Sequence, residues 1–568
     1  MLSIERRNEV TAMLHPQHDL LPRPDKGQSC YEWMLACNAN MEALLGRDYA
    51  AFVHLDCEYT MGELKTEIEA LAAALAARGI EKGDVVAAFL PTSAHAFALF
   101  YAASKLGAVC NFIHPLTPPD RLAEILAFTK SKAVFGLDLS AAQFEAVYRT
   151  IFTVLCSTSD FTKGPVTDYV KAHVEKDVAV PRGDNIVRYR DLTAGTYPPA
   201  PTVTGNGATD AVYMHSSGTT GKSKTVRLSS YALNAVAYHQ YAIDVNHDYG
   251  ESYSLCVLPC FHAFGLGASM HYCLCNNYTP IIMPKFDAVK ANDYIRRYKV
   301  QYISGVPNMF HKMFEAENFD NEGLKNLNAL YSGGDIVSEH FVEEFNAALL
   351  KRGSIGKLFR GWGLTEMSAI CSTNNHLKSR ANSVGPLLEG LEVCVLDEDL
   401  RKLPAGEQGE IALTGEMQMN GYLPTEDDDF DGFWYDEDGK PWVRTGDMGI
   451  VDEDGFLFFT GRKKRIIVIS GYNIYPYSIE QMINALPEVS EACAVQGYSD
   501  SGKSLVKLCV VKADPAADED ALRTYLFDYC QKHLNGFSVP RKIEFRAFLP
   551  RTKMDKLDFM AMSDTLPE

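Results

Sequence analysis

The stretch "DAVYMHSSGTTGKSKTVRLSS", residues 210–230, decides the fold of the chain around it. Its opening, "DAVYMH", is an apolar run that predicts a buried strand. Glycines and hydroxyl side chains then surround Lys222, as in loops that bind phosphate through backbone N–H groups. The following "TVRLS" favours a second strand because apolar and polar residues alternate, and Ser229 or Ser230 is placed to cap a helix. The stretch therefore predicts strand, loop, strand and helix in that order.

Two other interpretations of the loop have to be weighed. Gly221, Lys222 and Ser223 fit the end of the P-loop pattern G-x-x-x-x-G-K-[ST], but Ser216 stands where the first glycine belongs. The helix of a P-loop begins at the lysine, whereas a strand follows this loop. A P-loop NTPase is therefore disfavoured, and an exposed glycine and serine turn is the plain alternative.

Composition and charge bound the class of protein. The chain has 568 residues, is 46% hydrophobic and carries a net charge of −19, which argues against a general nucleic-acid binder. Its 14 cysteines include no C-x-x-C pair, as expected for reduced thiols in the cytoplasm. The most apolar window, residues 85–109, is interrupted by Pro91, His95 and Lys105, so it predicts a strand and a buried helix. We expect a cytoplasmic protein with no membrane span and no nucleic-acid partner.

Strand and helix patterns alternate along most of the chain. Residues 59–84 have helical periodicity after a capping threonine, 85–91 form an apolar run, 93–106 are helical again, and 108–115 form another apolar run. Strand, helix and strand at this spacing predict a βαβ unit in a parallel sheet, and similar alternation recurs over 254–307. The predicted fold class is therefore α/β.

The pattern changes towards the C-terminal end. Short strands separated by turns predict a β-rich subdomain at about residues 390–462 within a large N-terminal domain, residues 1–462. Residues 463–568 alternate helices and strands and predict a small α+β domain. The boundary falls inside the basic cluster "GRKKR", residues 461–465.

Several motifs resemble those of the adenylate-forming, AMP-binding superfamily, in its branch of acyl-CoA synthetases and AMP-dependent CoA ligases. "SSGTTGKSK" is similar to its phosphate loop [ST]-[ST]-G-[ST]-T-G-x-P-K, with Ser223 and Thr225 where proline and glycine are usual. Further matching segments follow in the superfamily's order and extend over nearly the whole chain: "LPCFHAFGLG" (258–267), "YSGGD" (331–335), "RGWGLTEM" (360–367), "RTGDMG" (444–449), "GRKKRIIVISGYNIYP" (461–476) and "LPRTKMDKLD" (549–558).

The resemblance implies a reaction in two steps. A fatty or aromatic carboxylic acid reacts with ATP, in the presence of Mg²⁺, to give acyl-AMP and pyrophosphate, and the acyl group then passes to the thiol of coenzyme A. Because negative charge spreads over phosphoryl oxygens, the chemistry requires cations and N–H donors more than a covalent nucleophile. The implied phosphate-binding residues are Ser216, Ser217, Gly218, Thr219, Thr220, Gly221, Lys222 and Lys224.

The same resemblance implies how the rest of the nucleotide is bound. Thr365 is expected at the α-phosphate and Glu366 at Mg²⁺, a cation that prefers carboxylate and phosphate oxygens. The implied adenine-binding residues are Gly333, Gly334, Asp335, Gly361 and Trp362, where Trp362 replaces the usual stacking tyrosine. Asp447 and Arg462 are expected at the ribose.

Two further groups are implied at the reacting atoms. Lys556 matches the catalytic lysine of the superfamily, although Asp555 stands where glycine usually precedes it. Phe261 and His262 match an aromatic–histidine pair beside the acyl carboxylate, where His262 would orient the acid.

The basic cluster is implied to contain a hinge. Lys464 matches the superfamily's hinge position, about which the small C-terminal domain would rotate between two poses. One pose would deliver the catalytic lysine, and the other would bring the Ser470–Gly471 turn towards the incoming thiol. Lys463, next to the hinge, is expected to be a solvated surface residue.

The acid and the acceptor are less well defined. "FHAFG" lacks the aspartate that amino-acid-activating domains place after the phenylalanine, which favours an uncharged fatty or aromatic acid. Bulky Met309 and Trp362 favour an aryl or short-to-medium chain. Two alternatives stay open: a standalone ligase that loads the pantetheine of a carrier protein, and a non-catalytic homologue that binds acyl-AMP or a nucleotide.

Overall fold

The computed structural model describes residues 21–46, 48–145, 147, 150–178, 181–216, 224–244, 252–425, 432–469, 472–499, 502–551 and 557–564. Within these residues the strands form two large sheets, a five-stranded sheet, a three-stranded sheet and a separate hairpin. The predicted α/β fold class, with a β-rich part and a small α+β part after it, is confirmed. The domain boundaries themselves stay predictions.

The first large sheet contains the stretch that precedes and follows the glycine-rich loop. Its neighbouring strands are parallel except at one edge, where Thr225–Ser229 runs antiparallel to Asp210–His215. In order across the sheet the strands are Ile186–Arg188, Phe152–Cys156, Ser131–Leu137, Val85–Phe89, Val109–Phe112, Asp210–His215 and Thr225–Ser229. The prediction that a second strand, and not a helix, follows the loop is therefore confirmed.

The second large sheet is also mainly parallel, with antiparallel pairs at both edges. In order its strands are Ala369–Thr373, Lys357–Leu364, Ala329–Ser332, Tyr302–Gly305, Ser252–Cys256, Tyr278–Ile282, Ala50–His54 and Cys57–Thr60. The strand Ala329–Ser332 leads directly into Gly333 and Gly334, and the neighbouring strand Lys357–Leu364 contains Gly361 and Trp362, which the sequence assigns to the nucleotide.

Several helices of this part begin after a residue whose side chain accepts from a free backbone N–H group of the first turn. Thr60 forms a capping box with Glu63, and Ser229 accepts from the backbone N–H of Ala232, as the sequence predicts. The α-helices of this part are Cys30–Leu45, Met61–Ala77, Ala94–Leu106, Pro119–Phe128, Pro165–His173, Tyr189–Thr193, Ser230–Tyr241, Ala263–Gly265, Tyr272–Cys275, Ala288–Tyr298, Pro307–Glu315 and Glu339–Lys351, and Leu266–His271 forms a π-helix.

One continuous apolar core joins the two large sheets. Helix Ala94–Leu106 is buried at every position; its Phe97 lies 6.0 Å from Phe52 of the second sheet and its Phe100 lies 6.4 Å from Phe112 of the first sheet, measured between ring centroids. Full burial of each such aromatic side chain contributes roughly 1.5–3 kcal/mol. The sheets are therefore held rigidly side by side, and the loops at their ends have a fixed base.

The third sheet is antiparallel, as expected for the β-rich part. Its strands are Leu391–Leu396, Gln408–Gly415, Pro441–Val451, Phe433–Tyr435 and Leu457–Arg462. The last strand ends at Arg462 and leads into a short 3₁₀ turn, Lys463–Arg465.

The remaining residues form a small α+β unit with its own core. Its strands are Val489–Tyr498, Ser504–Lys512 and Lys542–Phe545, the hairpin strands are Ile467–Ile469 and Tyr472–Ile474, and the helices are Pro476–Asn484, Glu519–His533 and Phe559–Met562. No helix in the described part of the chain is long and apolar enough to cross a membrane.

Candidate active site

The base of the glycine-rich loop is closed by hydrogen bonds between its two ends. Ser216 donates its backbone N–H to the carbonyl oxygen of Lys224 at 2.9 Å, and Lys224 donates its N–H to the hydroxyl oxygen of Ser216 at 3.2 Å. Both residues directly adjoin the antiparallel edge strands of the first sheet. The predicted phosphate-binding residues Ser217, Gly218, Thr219, Thr220, Gly221 and Lys222 lie outside the described residues, as does Ser223.

A histidine that the sequence analysis missed supports this loop base. His215 Nε2 lies 2.7 Å from Oδ1 of Asn111, and His215 Nδ1 lies 3.0 Å from the hydroxyl of Thr225. The amide nitrogen of Asn111 donates to Thr129, which directs its oxygen at the histidine, so Nε2 carries the proton. Burial of the ring, with a smaller effect from Arg121, lowers the pKa of His215 to about 4. A neutral histidine therefore joins three strands beneath the loop.

The lysine at the end of the loop and the predicted Mg²⁺ ligand meet at one tyrosine. The ammonium of Lys224 lies 4.6 Å from the ring centroid of Tyr422, whose hydroxyl donates to Oε1 of Glu366 at 2.8 Å. Burial and the neighbouring Glu366 raise the pKa of Tyr422, so the phenol stays protonated and remains a donor. Tyr422 also pairs with Val226 in an isolated bridge beside the edge strand. Thr365 precedes Glu366 in the turn Thr365–Met367.

Tyr422 was missed because its segment, "GYLP", has no polar cluster that marks it as a site. Its position is set by main-chain bonds: Leu423 donates to the carbonyl of Thr225 at 2.8 Å, and Met419 donates to the carbonyl of Glu366 at 2.9 Å. The segment thus bridges the edge of the first sheet and the turn between the strands Lys357–Leu364 and Ala369–Thr373 of the second.

Glycines from adjacent strands of the second sheet come together as predicted for the adenine site. The N–H of Gly333 donates to the carbonyl of Gly305 at 3.1 Å, and a side chain at Gly333 would lie 3.4 Å from the ring of Phe264 and 3.5 Å from the carbonyl of Gly361. Gly334 has a φ of +83°, which favours glycine. Asp335 is exposed, and its carboxylate accepts from the N–H of Ile336 at 2.8 Å. Contact of Asp335 with adenine stays a prediction.

Trp362 and the two predicted ribose-binding residues form one hydrogen-bonded group. The indole N–H of Trp362 donates to Oδ2 of Asp447 at 2.8 Å, and Nε of Arg462 lies 3.0 Å from Oδ1. Asp447 is 1% exposed, and its backbone N–H donates to the hydroxyl of Thr445 at 3.0 Å. The carboxylate is therefore held by a hydrogen bond from the second sheet and by an ion pair with Arg462 of its own sheet. Stacking of the Trp362 ring on adenine stays a prediction. The structure shows the indole N–H of Trp362 hydrogen-bonded to Asp447.

Phe261 and His262 lie beside a second histidine that the sequence analysis did not single out. The ring of Phe261 is 4.6 Å from His114 and 4.8 Å from His262, measured between centroids. The backbone N–H of Leu116 donates to Nδ1 of His114 at 3.0 Å, so in the neutral ring the proton is on Nε2. His114 follows the strand that also carries Asn111, which links this aromatic group to the loop base.

The residues on either side of Lys464 are tied to different parts of the fold. Lys463 Nζ lies 2.8 Å from Oε2 of Glu410 in the antiparallel sheet, so Lys463, which the sequence predicts to be solvated, is 40% exposed and also ion-paired. Burial acts to raise the pKa of Glu410, but hydrogen bonds from Arg444 and Lys463 outweigh it and hold that pKa below its usual value. Arg465 pairs with Glu480 of the small unit at 2.5 Å. Lys464 itself is exposed between these two anchors.

The remaining predicted residues belong to the small unit. Ser470, Gly471, Asp555 and Lys556 lie outside the described residues. The chain on both sides of Lys556 is nevertheless anchored, because Arg551 and Leu557 pair in a bridge and the N–H of Asp558 donates to the carbonyl of Pro550 at 2.8 Å.

His215 makes stability depend on pH in a defined direction. Its pKa is about 4 when folded and about 6.5 when unfolded, so the unfolded chain binds the proton first and stability falls as the pH drops from 6.5 to 4. We expect His215→Gln to remove up to about 3 kcal/mol of this loss. The measurement is the free energy of urea unfolding between pH 4.5 and 7.5, with exposed His173→Gln as the control. Equal slopes for wild type and His215→Gln would contradict this assignment.

Comparison with known proteins agrees with this arrangement. Residues 42–423 match the family of AMP-binding enzymes, and residues 478–556 match the C-terminal domain of AMP-binding enzymes. The chain is 27% identical over 526 residues to a long-chain-fatty-acid–CoA ligase of Salmonella typhimurium, which covers 90% of each chain. A probable 4-coumarate–CoA ligase 3 of Dictyostelium discoideum is 27% identical over 500 residues, covering 85% of this chain and 87% of that one.

The fold is shared with a benzoate CoA ligase from Burkholderia xenovorans LB400, at a TM-score of 0.77 and 19% identity over 93% of this chain and 99% of that chain. The family matches cover most of the sequence and include the segments that carry Ser216, Glu366 and Trp362. The resemblance that the motifs indicate is thus confirmed, and the chain belongs to the adenylate-forming family of AMP-binding enzymes.

Proposed function

We propose that this protein is an acid–thiol ligase that uses ATP to activate a carboxylic acid and then transfers the acyl group to coenzyme A. The observation that carries the proposal is the contact of Lys224 and Glu366 through Tyr422 at the end of the glycine-rich loop. A cation for phosphate and a carboxylate for a metal ion are thereby positioned by the same side chain, as suits a metal–ATP complex.

The first step forms an acyl-phosphate bond. A carboxylate oxygen of the acid attacks the α-phosphorus of ATP, and the bond from that phosphorus to pyrophosphate breaks. Lys224 and the loop residues bind the phosphates, Thr365 contacts the α-phosphate, and Lys556 bridges the acid and the α-phosphate. Stabilising negative charge with such positioned donors is the main source of acceleration in this chemistry.

The second step uses the acyl-AMP as an activated acyl donor. The coenzyme A thiolate attacks the acyl carbon, a carbon–sulfur bond forms, and AMP leaves. For this step we propose rotation about Lys464, between the anchors Lys463–Glu410 and Arg465–Glu480, which brings the Ser470–Gly471 turn to the thiol. Because this hinge lies at the start of the small unit, we propose that the large domain ends at residue 462 and the small domain begins at residue 463.

Mg²⁺ fits the donors at the site. In the described part of the chain, no cluster of three or more histidine, cysteine or acidic side chains could hold a metal ion without help. A lone carboxylate such as Glu366, oriented by Tyr422, suits an ion that takes most of its other ligands from phosphate and water. When bound, the ion neutralises charge on the phosphate oxygens.

The adenosine part would be bound by the Trp362 group. Asp447, oriented by the indole N–H and by Arg462, accepts from the ribose hydroxyls. Gly333, Gly334, Asp335 and Gly361, with Trp362, form the adenine site.

Phe261 and His262 orient the acid, and His114 packs against them.

We place the protein in the cytoplasm because its cysteines are unpaired and nearly all buried, which suits a reducing compartment. The relatives named above are ligases of long-chain fatty, 4-coumaric and benzoic acids, so their names leave the acid undecided.

The decisive experiment is an acid panel. The purified full-length protein is incubated with ATP, Mg²⁺ and fatty or aromatic acids, with and without coenzyme A, and pyrophosphate and thioester are measured. We expect acid-dependent pyrophosphate release and a thioester only with coenzyme A. Acyl-AMP that reacts only with a pantetheinylated carrier protein would identify a carrier-loading ligase. Nucleotide binding without turnover of any acid would identify a non-catalytic homologue.

Lys556 should act only in the first step. We expect Lys556→Ala to slow acyl-AMP formation roughly 100- to 1000-fold, because it removes a positioned charge from the transition state. Thioester formation from supplied acyl-AMP should stay close to wild type, and exposed Lys503→Ala serves as the control. Equal loss in both steps would rule out the two-pose mechanism.

Trp362 should affect ATP binding through Asp447. Trp362→Phe keeps an aromatic ring but loses the N–H donor, and a hydrogen bond to a charged group contributes about 1.5–3 kcal/mol. We expect KM for ATP to rise at least roughly tenfold and discrimination against 2′,3′-dideoxy-ATP to weaken. Trp434→Phe in the antiparallel sheet is the matched control. Unchanged discrimination would show that the indole does not position the ribose ligand.

A further inference from the structure

The small α+β unit contacts the proposed large domain through a tyrosine that no step of the reaction uses. Tyr477 lies in the first turn of helix Pro476–Asn484 and is only 9% exposed. Its ring packs edge-to-face on Phe459 of the strand Leu457–Arg462, at 5.1 Å between centroids and 84° between ring planes. The two residues lie on opposite sides of the proposed hinge, Lys464, so the contact buries an aromatic side chain across it.

The backbone of the same strand also lies against Tyr477. A Cβ atom added to Gly461 would lie 3.5 Å from Cβ of Tyr477, which is an ordinary van der Waals distance. Phe459 and Gly461 are two residues apart, so they share the face of the strand that meets the helix. Gly461 immediately precedes Arg462, which pairs with the buried carboxylate of Asp447. The contact is therefore one residue away from the group proposed to bind the ribose.

A cation from the second large sheet lies close to the tyrosine as well. Burial raises the pKa of Tyr477 to about 12, and the nearby Arg360 acts in the opposite direction. Arg360 is 8% exposed and forms an ion pair with Glu339. It lies two residues before Trp362 in the strand Lys357–Leu364. Groups from two sheets of the proposed large domain therefore lie around the ring of Tyr477.

The next turn of the same helix is bound within the small unit instead. Glu480, three residues after Tyr477, pairs with Arg465 at 2.5 Å and accepts from the backbone N–H of Ala494 at 2.9 Å. These partners lie on the C-terminal side of Lys464, so they would move together with the helix in a rotation. The contacts of Tyr477 cross to the other side of the hinge and would have to break.

A second contact across the hinge is weaker. The side-chain amide of Asn473 donates to Oε1 of Glu398 at 3.5 Å, and both residues are exposed. Polar contacts between exposed groups contribute little to stability, because water competes for both groups. Of these two contacts, the buried ring of Tyr477 therefore contributes more to holding the small unit in the observed pose.

We infer that Tyr477 is a positioning residue that holds the small unit in one of its two poses, and that rotation about Lys464 requires its ring to leave Phe459. The inference rests on the proposed ligase function, because the two poses serve its two steps. It adds a residue that sets the balance between acyl-AMP formation and thioester formation. Removing the ring changes the relative populations of the poses, so it changes the relative rates of the two steps.

The first test compares the two half-reactions in Tyr477→Ala and in wild type. Acyl-AMP formation is measured as pyrophosphate release without coenzyme A, and thioester formation is measured from supplied acyl-AMP, both with the best acid of the panel. We expect the ratio of the two rates to change at least roughly tenfold, because burial of an aromatic ring contributes a free energy of that order. Tyr477→Phe, which keeps the ring, should leave the ratio near wild type.

The control for this comparison is Tyr525→Ala, which removes an exposed tyrosine from another helix of the small unit. We expect this variant to keep the wild-type ratio. A proportional loss of both rates in Tyr477→Ala would show a purely structural role and would overturn the inference.

A second test requires no turnover. The basic cluster at residues 461–465 offers trypsin its cleavage sites at the hinge, and cleavage there requires local opening. We expect Tyr477→Ala to raise the rate of cleavage at this cluster in the folded full-length protein at least roughly fivefold, because cleavage follows the population of the open form. Phe459→Ala, which removes the same contact from the other side of the hinge, should have the same effect.

The cleavage rates separate the two possible failures. Unchanged cleavage at the cluster in both folded variants would overturn the inference about Tyr477. Faster cleavage in a protein that activates no acid would overturn the proposed ligase function, whereas the role of Tyr477 in holding the small unit would stand.

Discussion

The hydrogen bond from the indole of Trp362 to the carboxylate of Asp447 is the interaction on which the arrangement of the site depends. It joins the second large sheet to the antiparallel sheet, between residues 85 positions apart in the chain. A buried carboxylate is costly unless it is paired and hydrogen-bonded, and here Arg462 supplies the pair. Arg462 is also the last residue before the 3₁₀ turn Lys463–Arg465. The proposed ribose ligand, the contact between the two sheets and the start of this turn therefore share one charged group.

Two other contacts between separate elements are formed in the same way, by a carboxylate that a side chain from another element binds. Glu366, in the turn between two strands of the second sheet, accepts from Tyr422, whose segment pairs with the edge of the first sheet. Glu410 is bound by Arg444 from its own sheet and by Lys463 from the 3₁₀ turn that follows it. In each case a carboxylate is held by a side chain from another element. Loss of either side chain would therefore disturb the positions of both elements. These contacts bring charged side chains from different elements to the site that we propose for the phosphates and the ribose.

Local sequence signals predicted the fold well, because they depend on residues close together in the chain. The capping role of Thr60, the βαβ unit at residues 85–112 and the strand after Lys224 all follow from periodicity and capping within a few residues. Contacts between distant residues were not predictable in the same way. Nothing near Lys463 indicates that Glu410, 53 residues earlier, would bind it, so a charge run suggested a solvated surface. His215 and Tyr422 were missed because each lies in a segment whose composition is that of an ordinary strand or turn.

The sequence by itself determined the family, the order of its motifs and the residue types available for the chemistry, since these are properties of short segments with fixed spacing. Only the tertiary structure decided how those segments meet. It tied the edge of Trp362 to Asp447 and brought Lys224 and Glu366 to a common tyrosine. These outcomes depend on burial, because a polar group removed from water must find its partner wherever the fold brings one within reach.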